Sequence, residues 1–142
     1  MIVVDASVAV KWLFPEEHSE VALALASATV ESGEPLMAPP LLPVEVANVL
    51  RRRMQTDGLS LAMALQLFAR FSDLVVIISH PTDLSERALT LATTYQLPAV
   101  YDAHYVALAQ HLGCPLWTGD LRLARTLQGQ TSLIRWIGDY AG

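Results

Sequence analysis

The fold can be read outward from one stretch near the start of the sequence, IVVDASVAVKWLF at residues 2–14. Three apolar residues at 2–4 predict a short buried strand, which ends at Asp5. Apolar residues then recur at helical spacing as far as Phe14, and Pro15 ends the predicted helix. A buried strand followed directly by a helix is the unit from which parallel α/β sheets are built.

The same alternation of short strands and helices continues along the chain. Further strands are predicted at residues 36–38, 75–79 and 116–118, with an edge strand at 132–136. Helices are predicted at residues 17–32 (closed by Gly33), 41–57, 59–73, 83–95 and 102–112, and a last one from about Asp120. Parallel strands need crossover connections, which are usually helices. The pattern therefore predicts an α/β fold with a short, mostly parallel sheet flanked by helices.

Length and composition restrict the class of protein. The chain has 142 residues, of which 53% are hydrophobic and 16% are charged. These values exclude an intrinsically disordered chain and predict a single domain over residues 1–142. Nine basic and fourteen acidic residues give a net charge of −5, so the sequence lacks the broad basic surface of a protein that coats nucleic acid. A polyanionic partner must therefore bind to a local patch.

Cysteine content and hydropathy point to a cytoplasmic protein. The single cysteine, Cys114, can form neither an internal disulfide nor a thiolate metal cluster. The longest apolar stretch, at residues 21–30, is too short for a membrane span, which needs about 20 residues. The first residues carry an acid at Asp5 and no basic segment, unlike a signal peptide. We therefore expect a cytoplasmic location and no membrane contact.

Acidic residues follow the predicted strands, at the edge where ligands collect in open parallel sheets. Asp5 ends the first strand, Asp120 follows the strand at 116–118, and Asp102 opens a helix. Since aspartate is a favoured N-cap residue, each of the three could serve only to cap the helix that it precedes. Ser7 is a second candidate cap after Asp5, which weakens this interpretation for Asp5.

A fourth acid, Glu45, cannot be a cap, because its helix begins earlier and carries Pro43 in its first turn. At about 100° per residue, Glu45, Asn48 and Arg52 lie on one stripe beside the apolar face of this helix. Partly buried carboxylates in one cleft repel each other, whereas hard divalent cations such as Mg²⁺ or Mn²⁺ prefer oxygen ligands. Four such acids therefore indicate a divalent metal site suited to phosphodiester cleavage.

Three segments of the sequence, taken in order, resemble a known family. The chain is similar over nearly its whole length to PIN-domain ribonucleases, and more narrowly to VapC toxins of type II toxin-antitoxin systems. The similarity rests on VVDASVAVKW, PPLLPVEVANVLRR and YDAHYVALAQHLGCPLWTGD. One departure is Gly119, where the family often has alanine in a Thr-Ala-Asp run. We expect so small a change to leave Asp120 in position.

The resemblance implies a Mg²⁺- or Mn²⁺-dependent endoribonuclease toxin that cleaves RNA, forms a homodimer and is inhibited by a VapB-type antitoxin protein. It places the catalytic, metal-binding acids at Asp5, Glu45, Asp102 and Asp120. It places hydrogen-bonding residues beside them at Ser7, Asn48 and Thr118. The apolar runs at residues 21–30 and 59–71 could form the dimer contact or an antitoxin groove, with ordinary core packing as the alternative.

The acids are expected to act through the metal. An ion held by carboxylates can polarise the scissile phosphate, activate a water for in-line attack and stabilise the leaving oxygen. Asp5 and Asp102 are our first choice as direct ligands. Glu45 and Asp120 could bind the same ion, bind a second ion or orient the attacking water.

Two basic residues are candidates for contact with the substrate. Arg52 shares the stripe of Glu45 and could contact a phosphate or pair with an acid of the site. Lys11 is the only lysine and could extend from the first helix toward the acidic cleft. The alternative for both is an ordinary solvent-exposed cation.

Two other functions are compatible with the sequence. A catalytically silent PIN-like module could bind RNA or protein through the same fold, although four intact acids argue against it. A doubly wound phosphohydrolase could also place Asp5 after the first strand. The run Asp5-Ala6-Ser7, however, lacks the second nearby aspartate of many phosphatases.

Overall fold

The computed structural model describes residues 1–142 and contains five strands and seven α-helices. The strands are β1 (Ile2–Val4), β2 (Leu36–Ala38), β3 (Val76–Ile78), β4 (Leu116–Thr118) and β5 (Ile134–Trp136). The helices are α1 (Ala6–Ala9), α2 (Ser19–Glu31), α3 (Leu41–Thr56), α4 (Leu61–Ser72), α5 (Leu84–Thr94), α6 (Tyr101–Leu112) and α7 (Leu121–Leu127). Short 3₁₀ turns at Val10–Trp12 and Ile137–Asp139 follow α1 and β5.

The five strands form one sheet in the order β3-β2-β1-β4-β5, and every neighbouring pair is parallel. The predicted α/β class is therefore confirmed. The chain builds outward from β1 through β2 to β3, and then returns to the other side of β1 for β4 and β5. The carboxyl ends of β1 and β4 thus lie side by side where the strand order reverses, which is where open α/β sheets bind ligands.

Both faces of the central strand are buried. Val3 and Val4 are fully buried and belong to two different core clusters, because successive side chains of a strand point to opposite faces. The larger cluster joins β1 to α3, α5 and α6, and the smaller one joins it to α2. No helix in the structure combines the length and apolar character needed to cross a bilayer.

The ends of the first two helices differ in part from prediction. The first helix becomes a 3₁₀ turn and ends at Trp12 rather than Phe14, since the N–H groups of Leu13 and Phe14 both bond to the Val10 carbonyl. The second helix begins at Ser19 rather than residue 17, because the Ser19 hydroxyl ties the preceding turn to it. Its predicted end is confirmed, since Gly33 adopts a positive φ of 75° immediately after the helix.

Candidate active site

Asp5 directly follows β1 and is 5% exposed. Its Oδ1 accepts hydrogen bonds from the Val8 N–H at 3.1 Å and from the Ser7 hydroxyl at 2.5 Å. Burial raises the pKa of Asp5 to about 6; the hydrogen bonds from Ser7 and Val8 oppose this rise and the charge of Asp102 adds to it. Asp5 therefore caps α1, as the capping interpretation predicts, and also places a desolvated carboxylate at the sheet edge.

Ser7 connects Asp5 to the turn that follows β4. Its Oγ accepts a hydrogen bond from the Gly119 N–H at 2.6 Å and lies 3.4 Å from Thr118 Oγ1. Thr118 Oγ1 in turn accepts from the Asp120 N–H at 3.0 Å. The capping role predicted for Ser7 is wrong, because Asp5 caps α1 while the Ser7 hydroxyl bonds to Asp5 and Gly119. Ser7 and Thr118 instead lie between two of the predicted acids.

Gly119 allows this turn to pack closely against α1 and the 3₁₀ turn after it. A Cβ atom at this position would lie 3.0 Å from Lys11 Cε and 3.0 Å from Ser7 Oγ. An alanine, as in the family run, would require Lys11 or Ser7 to move by a few tenths of an ångström. The identity of residue 119 is therefore linked to the position of the Lys11 side chain.

Glu45 projects from α3 toward α6, where the Tyr105 hydroxyl donates a hydrogen bond to Glu45 Oε2. Burial raises the pKa of Glu45, the hydrogen bond from Tyr105 lowers it, and the charges of Asp5 and Asp102 raise it further. Tyr105 is 1% exposed, and burial together with Glu45 raises the pKa of its hydroxyl, which keeps the hydroxyl a donor. Sequence reasoning missed Tyr105; its position three residues after Asp102, on one helix face, is the available signal.

Asp102 and Asp120 line one cleft of about 240 Å³ together with Arg122. Burial raises the pKa of Asp102, the charge of Asp120 adds to this, and Arg122 opposes it. The capping interpretation is wrong for Asp102, since the N-cap of α6 is Val100. It is confirmed for Asp120, whose Oδ1 accepts from the N–H groups of Arg122 and Leu123 at 2.9 and 3.1 Å. Arg122 is a second site residue that sequence reasoning missed.

The other predicted residues form no hydrogen bond or ion pair with the four acids. Asn48 is exposed and its side chain forms no hydrogen bond within the chain. Arg52 and Lys11 line a cleft of about 510 Å³ beside Ser7. Lys11 Nζ lies 3.2 Å from Glu16 Oε1 and only 11% of the side chain is exposed, so it is not an ordinary exposed cation. Arg52 is exposed and forms no ion pair with an acid.

The donor set suits a hard divalent cation. Asp5, Glu45 and Asp102 are all partly or fully desolvated; the charge of Asp102 raises the pKa of Asp5, and the charges of Asp5 and Asp102 raise that of Glu45. No three of the chain's His, Cys, Asp and Glu side chains converge closely enough to ligate one ion directly. Mg²⁺ commonly keeps several waters and binds one or two carboxylates, so three direct protein ligands are not required. A bound cation would offset both the desolvation of these acids and the repulsion between their charges.

Comparisons with known proteins identify the family of this chain. The PIN domain family matches residues 2–127. Ribonuclease VapC9 of Mycobacterium tuberculosis is 36% identical over 130 residues, which cover 92% of this chain and 94% of that protein. Ribonuclease VapC12 of the same organism is 34% identical over 126 residues, covering 89% of this chain and 92% of that protein.

Solved structures share the fold. PAE2754 from Pyrobaculum aerophilum superposes with a TM-score of 0.68 at 22% identity, covering 96% of this chain and 83% of that chain. VapC20 of Mycobacterium tuberculosis, described as a sarcin-ricin loop cleaving toxin, gives a TM-score of 0.65 at 20% identity. The match covers 88% of this chain and 94% of that chain. Sequence and fold together show that this chain belongs to the PIN domain family and, within it, to the VapC ribonucleases.

Proposed function

We propose that residues 1–142 act as one domain, a Mg²⁺- or Mn²⁺-dependent endoribonuclease toxin. Its catalytic, metal-binding acids are Asp5, Glu45, Asp102 and Asp120. The observation that supports this most is the electrostatic coupling of the four acids, which come from four separate parts of the chain. Partly buried like charges destabilise the metal-free fold and cluster at functional sites, and a divalent cation bound at the ligand edge of the sheet would relieve their repulsion.

Neighbouring hydroxyls and a backbone N–H hold and orient the acids. Asp5 and Asp102 would hold the ion, and Ser7 and the Val8 N–H fix the carboxylate of Asp5. Tyr105 holds Oε2 of Glu45, which leaves Oε1 to bind the ion or to orient the attacking water. When bound, the ion supplies Lewis-acid polarisation of the scissile phosphate and a water of lowered pKa.

Substrate contacts are proposed on both sides of the acids. Arg122 shares a cleft with Asp102 and Asp120, and Arg52 lines the neighbouring cleft beside Ser7. Both guanidinium groups lack a carboxylate partner and suit a phosphate oxygen. Lys11 is already paired with Glu16, so Arg52 is the better candidate for direct contact.

Protein partners are proposed from the exposed apolar side chains. Leu61, Met63 and Leu65 are exposed on α4, and Leu23 and Val30 are exposed on α2. We propose that one of these surfaces forms a homodimer and that the other receives an apolar segment of a VapB-type antitoxin. An arginine of that antitoxin, placed among the four acids, would compete with the metal. Sedimentation of the chain alone and with its antitoxin tests both partners, and a monomer in both samples would contradict them.

Cleavage of RNA is expected to require added Mg²⁺ or Mn²⁺ and to stop on chelation. Small phosphoesters such as nitrophenyl phosphate should not be hydrolysed, because one phosphate group does not engage the arginines on both sides of the acids. Gel analysis of labelled RNA and absorbance of nitrophenol measure the two reactions. Binding of RNA without cleavage would support a silent module, and hydrolysis of the small ester alone would support a phosphohydrolase.

Tyr105→Phe is expected to weaken Mn²⁺ binding about 10- to 100-fold, the usual effect of removing a group that orients a ligand. Phenylalanine keeps the buried ring, so the fold should persist. Glu45, however, loses the hydroxyl donor that orients its carboxylate and lowers the carboxylate's pKa. Calorimetric titration with Mn²⁺ measures the affinity. Tyr101→Phe is the matched control, since Tyr101 lies on the same helix but is 58% exposed. Equal affinities for the two variants would contradict a role for the Tyr105 hydroxyl.

A further inference from the structure

A third cleft, of about 430 Å³, lies between α7 and β5, at one edge of the sheet. None of the four predicted acids lines it. Its lining includes two arginines and two tryptophans, namely Arg125, Arg135, Trp117 and Trp136. We refer to it as the α7–β5 cleft.

The two arginines give this cleft a positive charge. Arg125 and Arg135 are exposed, and neither forms an ion pair or a side-chain hydrogen bond within the chain. Asp139 is the single acidic residue in the lining. In a chain with a net charge of −5, such a local excess of cations is the kind of patch that a polyanionic partner requires.

Each tryptophan beside the arginines has an edge contact with another ring of the chain. Trp117 and Arg135 are register partners on the paired strands β4 and β5. The ring of Trp117 packs at 83° against Tyr140, and the ring of Trp136 packs at 81° against His18. Rings that are already immobilised lose little entropy when a base stacks on them. Arginines interleaved with aromatic side chains are typical of surfaces that bind single-stranded nucleic acid.

The α7–β5 cleft continues from the acids along one helix. α7 begins immediately after Asp120, and its first residue, Leu121, lines the cleft. Arg122 lies in the cleft of Asp102 and Asp120, whereas Arg125, three residues later and on the adjoining helix surface, lies in the α7–β5 cleft. A chain of phosphates that leaves the acids along α7 therefore meets Arg125 next.

We propose that the α7–β5 cleft binds a single-stranded RNA segment adjacent to the bond that is cut, with phosphates on Arg125 and Arg135 and a base against an indole ring. The inference rests on the proposed ribonuclease function. The volume of the α7–β5 cleft lies within the range of about 300–1,000 Å³ for sites that hold small organic ligands, which suits a nucleotide. The stacked bases of a duplex do not present their faces, so the cleft favours single strands.

Binding of a fluorescein-labelled single-stranded RNA, measured by anisotropy at several salt concentrations, tests the proposal. The measurement uses Asp5→Asn protein so that the probe stays intact. Arg125→Ala and Arg135→Ala are each expected to weaken binding about 10-fold, by loss of a charge-assisted contact. Each should reduce the slope of log affinity against log salt by about 0.7, the value for one phosphate of a single strand. Arg70→Ala is the matched control, because exposed Arg70 lies on α4, which leads into β3 at the opposite edge of the sheet.

The outcomes separate this inference from the function on which it rests. If the wild type cleaves RNA while Arg125→Ala and Arg135→Ala bind the probe as tightly as Arg70→Ala does, the α7–β5 cleft is not an RNA site and the ribonuclease proposal stands. The α7–β5 cleft is likewise not an RNA site if Arg125→Ala and Arg135→Ala weaken only the binding of a protein partner. Equal loss of affinity for duplex RNA would overturn the preference for single strands. If the wild type neither binds nor cleaves RNA, the ribonuclease proposal itself fails.

Discussion

Asp5→Asn and Asp102→Asn are each expected to lower RNA cleavage at limiting Mg²⁺ by more than about 100-fold, because loss of a direct ligand should exceed the effect of removing a group that orients one. The carboxamide has nearly the same shape as the carboxylate but carries no charge. Asparagine at position 5 can still accept from the Val8 N–H and cap α1, and Asp102 is not a cap. The melting curves should therefore show intact folds. Rates of cleavage of a labelled RNA at low Mg²⁺ measure the effect.

Asp83→Asn is the control for these variants. Asp83 is an aspartate at the N-cap of α5 that pairs with Arg87, outside the acid cluster. The Asp83→Asn variant should cleave RNA at the wild-type rate. If Asp5→Asn or Asp102→Asn cleaved as fast as this control with an unchanged melting curve, the residue concerned would not be a metal ligand, and for Asp5 only the capping role would remain.

The metal-free protein is expected to lose stability as the pH rises from about 4 to about 6. Burial places the pKa of Asp5 at about 6 in the folded chain, above its value of about 3.9 in unfolded chains. Between these values the folded state binds more protons than the unfolded state, so the free energy of unfolding falls as the pH rises, and it stays low above that window. Asp5 alone accounts for about 3 kcal/mol. The raised pKa values of Glu45 and Asp102 act in the same direction.

Urea unfolding at a series of pH values, with chelator or with Mg²⁺, measures this dependence. A cation that binds only the folded state at about 100 times its Kd adds about 2.7 kcal/mol at neutral pH. Asp5→Asn should flatten the pH dependence of the metal-free protein. If the free energy of unfolding of the metal-free wild type did not change between about pH 4 and 6, the raised pKa values of the buried acids would be contradicted. An equal Mg²⁺ effect in an Asp5→Asn, Asp102→Asn double variant would place the ion elsewhere.

The strand and helix pattern was predictable because it depends on local sequence. Each of the five strands lies within a segment predicted from apolar runs, and Gly33 closes α2 as expected. The helix ends that were wrong depend on particular hydrogen bonds, those of Leu13 and Phe14 to Val10 and those of the Ser19 hydroxyl. Trp12, where the first helical segment ends, also donates its indole N–H to the Ala22 carbonyl on α2. Periodicity carries no information about such a partner.

Asp5 and Asp120 could be proposed as site residues because each follows a strand, whereas the contact of Glu45 with Tyr105 could not be predicted. Helical spacing places Glu45, Asn48 and Arg52 on one stripe, but packing decides which part of that stripe faces α6. Glu45 meets Tyr105, while Asn48, less than one turn later, is exposed. Arg122 and Tyr105 were missed for the same reason, since each acts across a helix contact that only the folded chain creates.

The central position of β1 has a consequence for folding of the chain. β1 pairs on one side with β2, where Ile2 is the register partner of Leu36, and on the other with the far more distant β4, where Val3 is the register partner of Leu116. Such distant pairing is slow to form, because a long loop must close first. Until β4 inserts, Asp5 lacks the turn that carries Thr118 and Asp120, and Ser7 has no Gly119 N–H to accept. A chain in which β4 has not yet paired with β1 therefore carries no complete acid cluster, and on the proposed function cleavage of RNA would begin only once that pairing has formed.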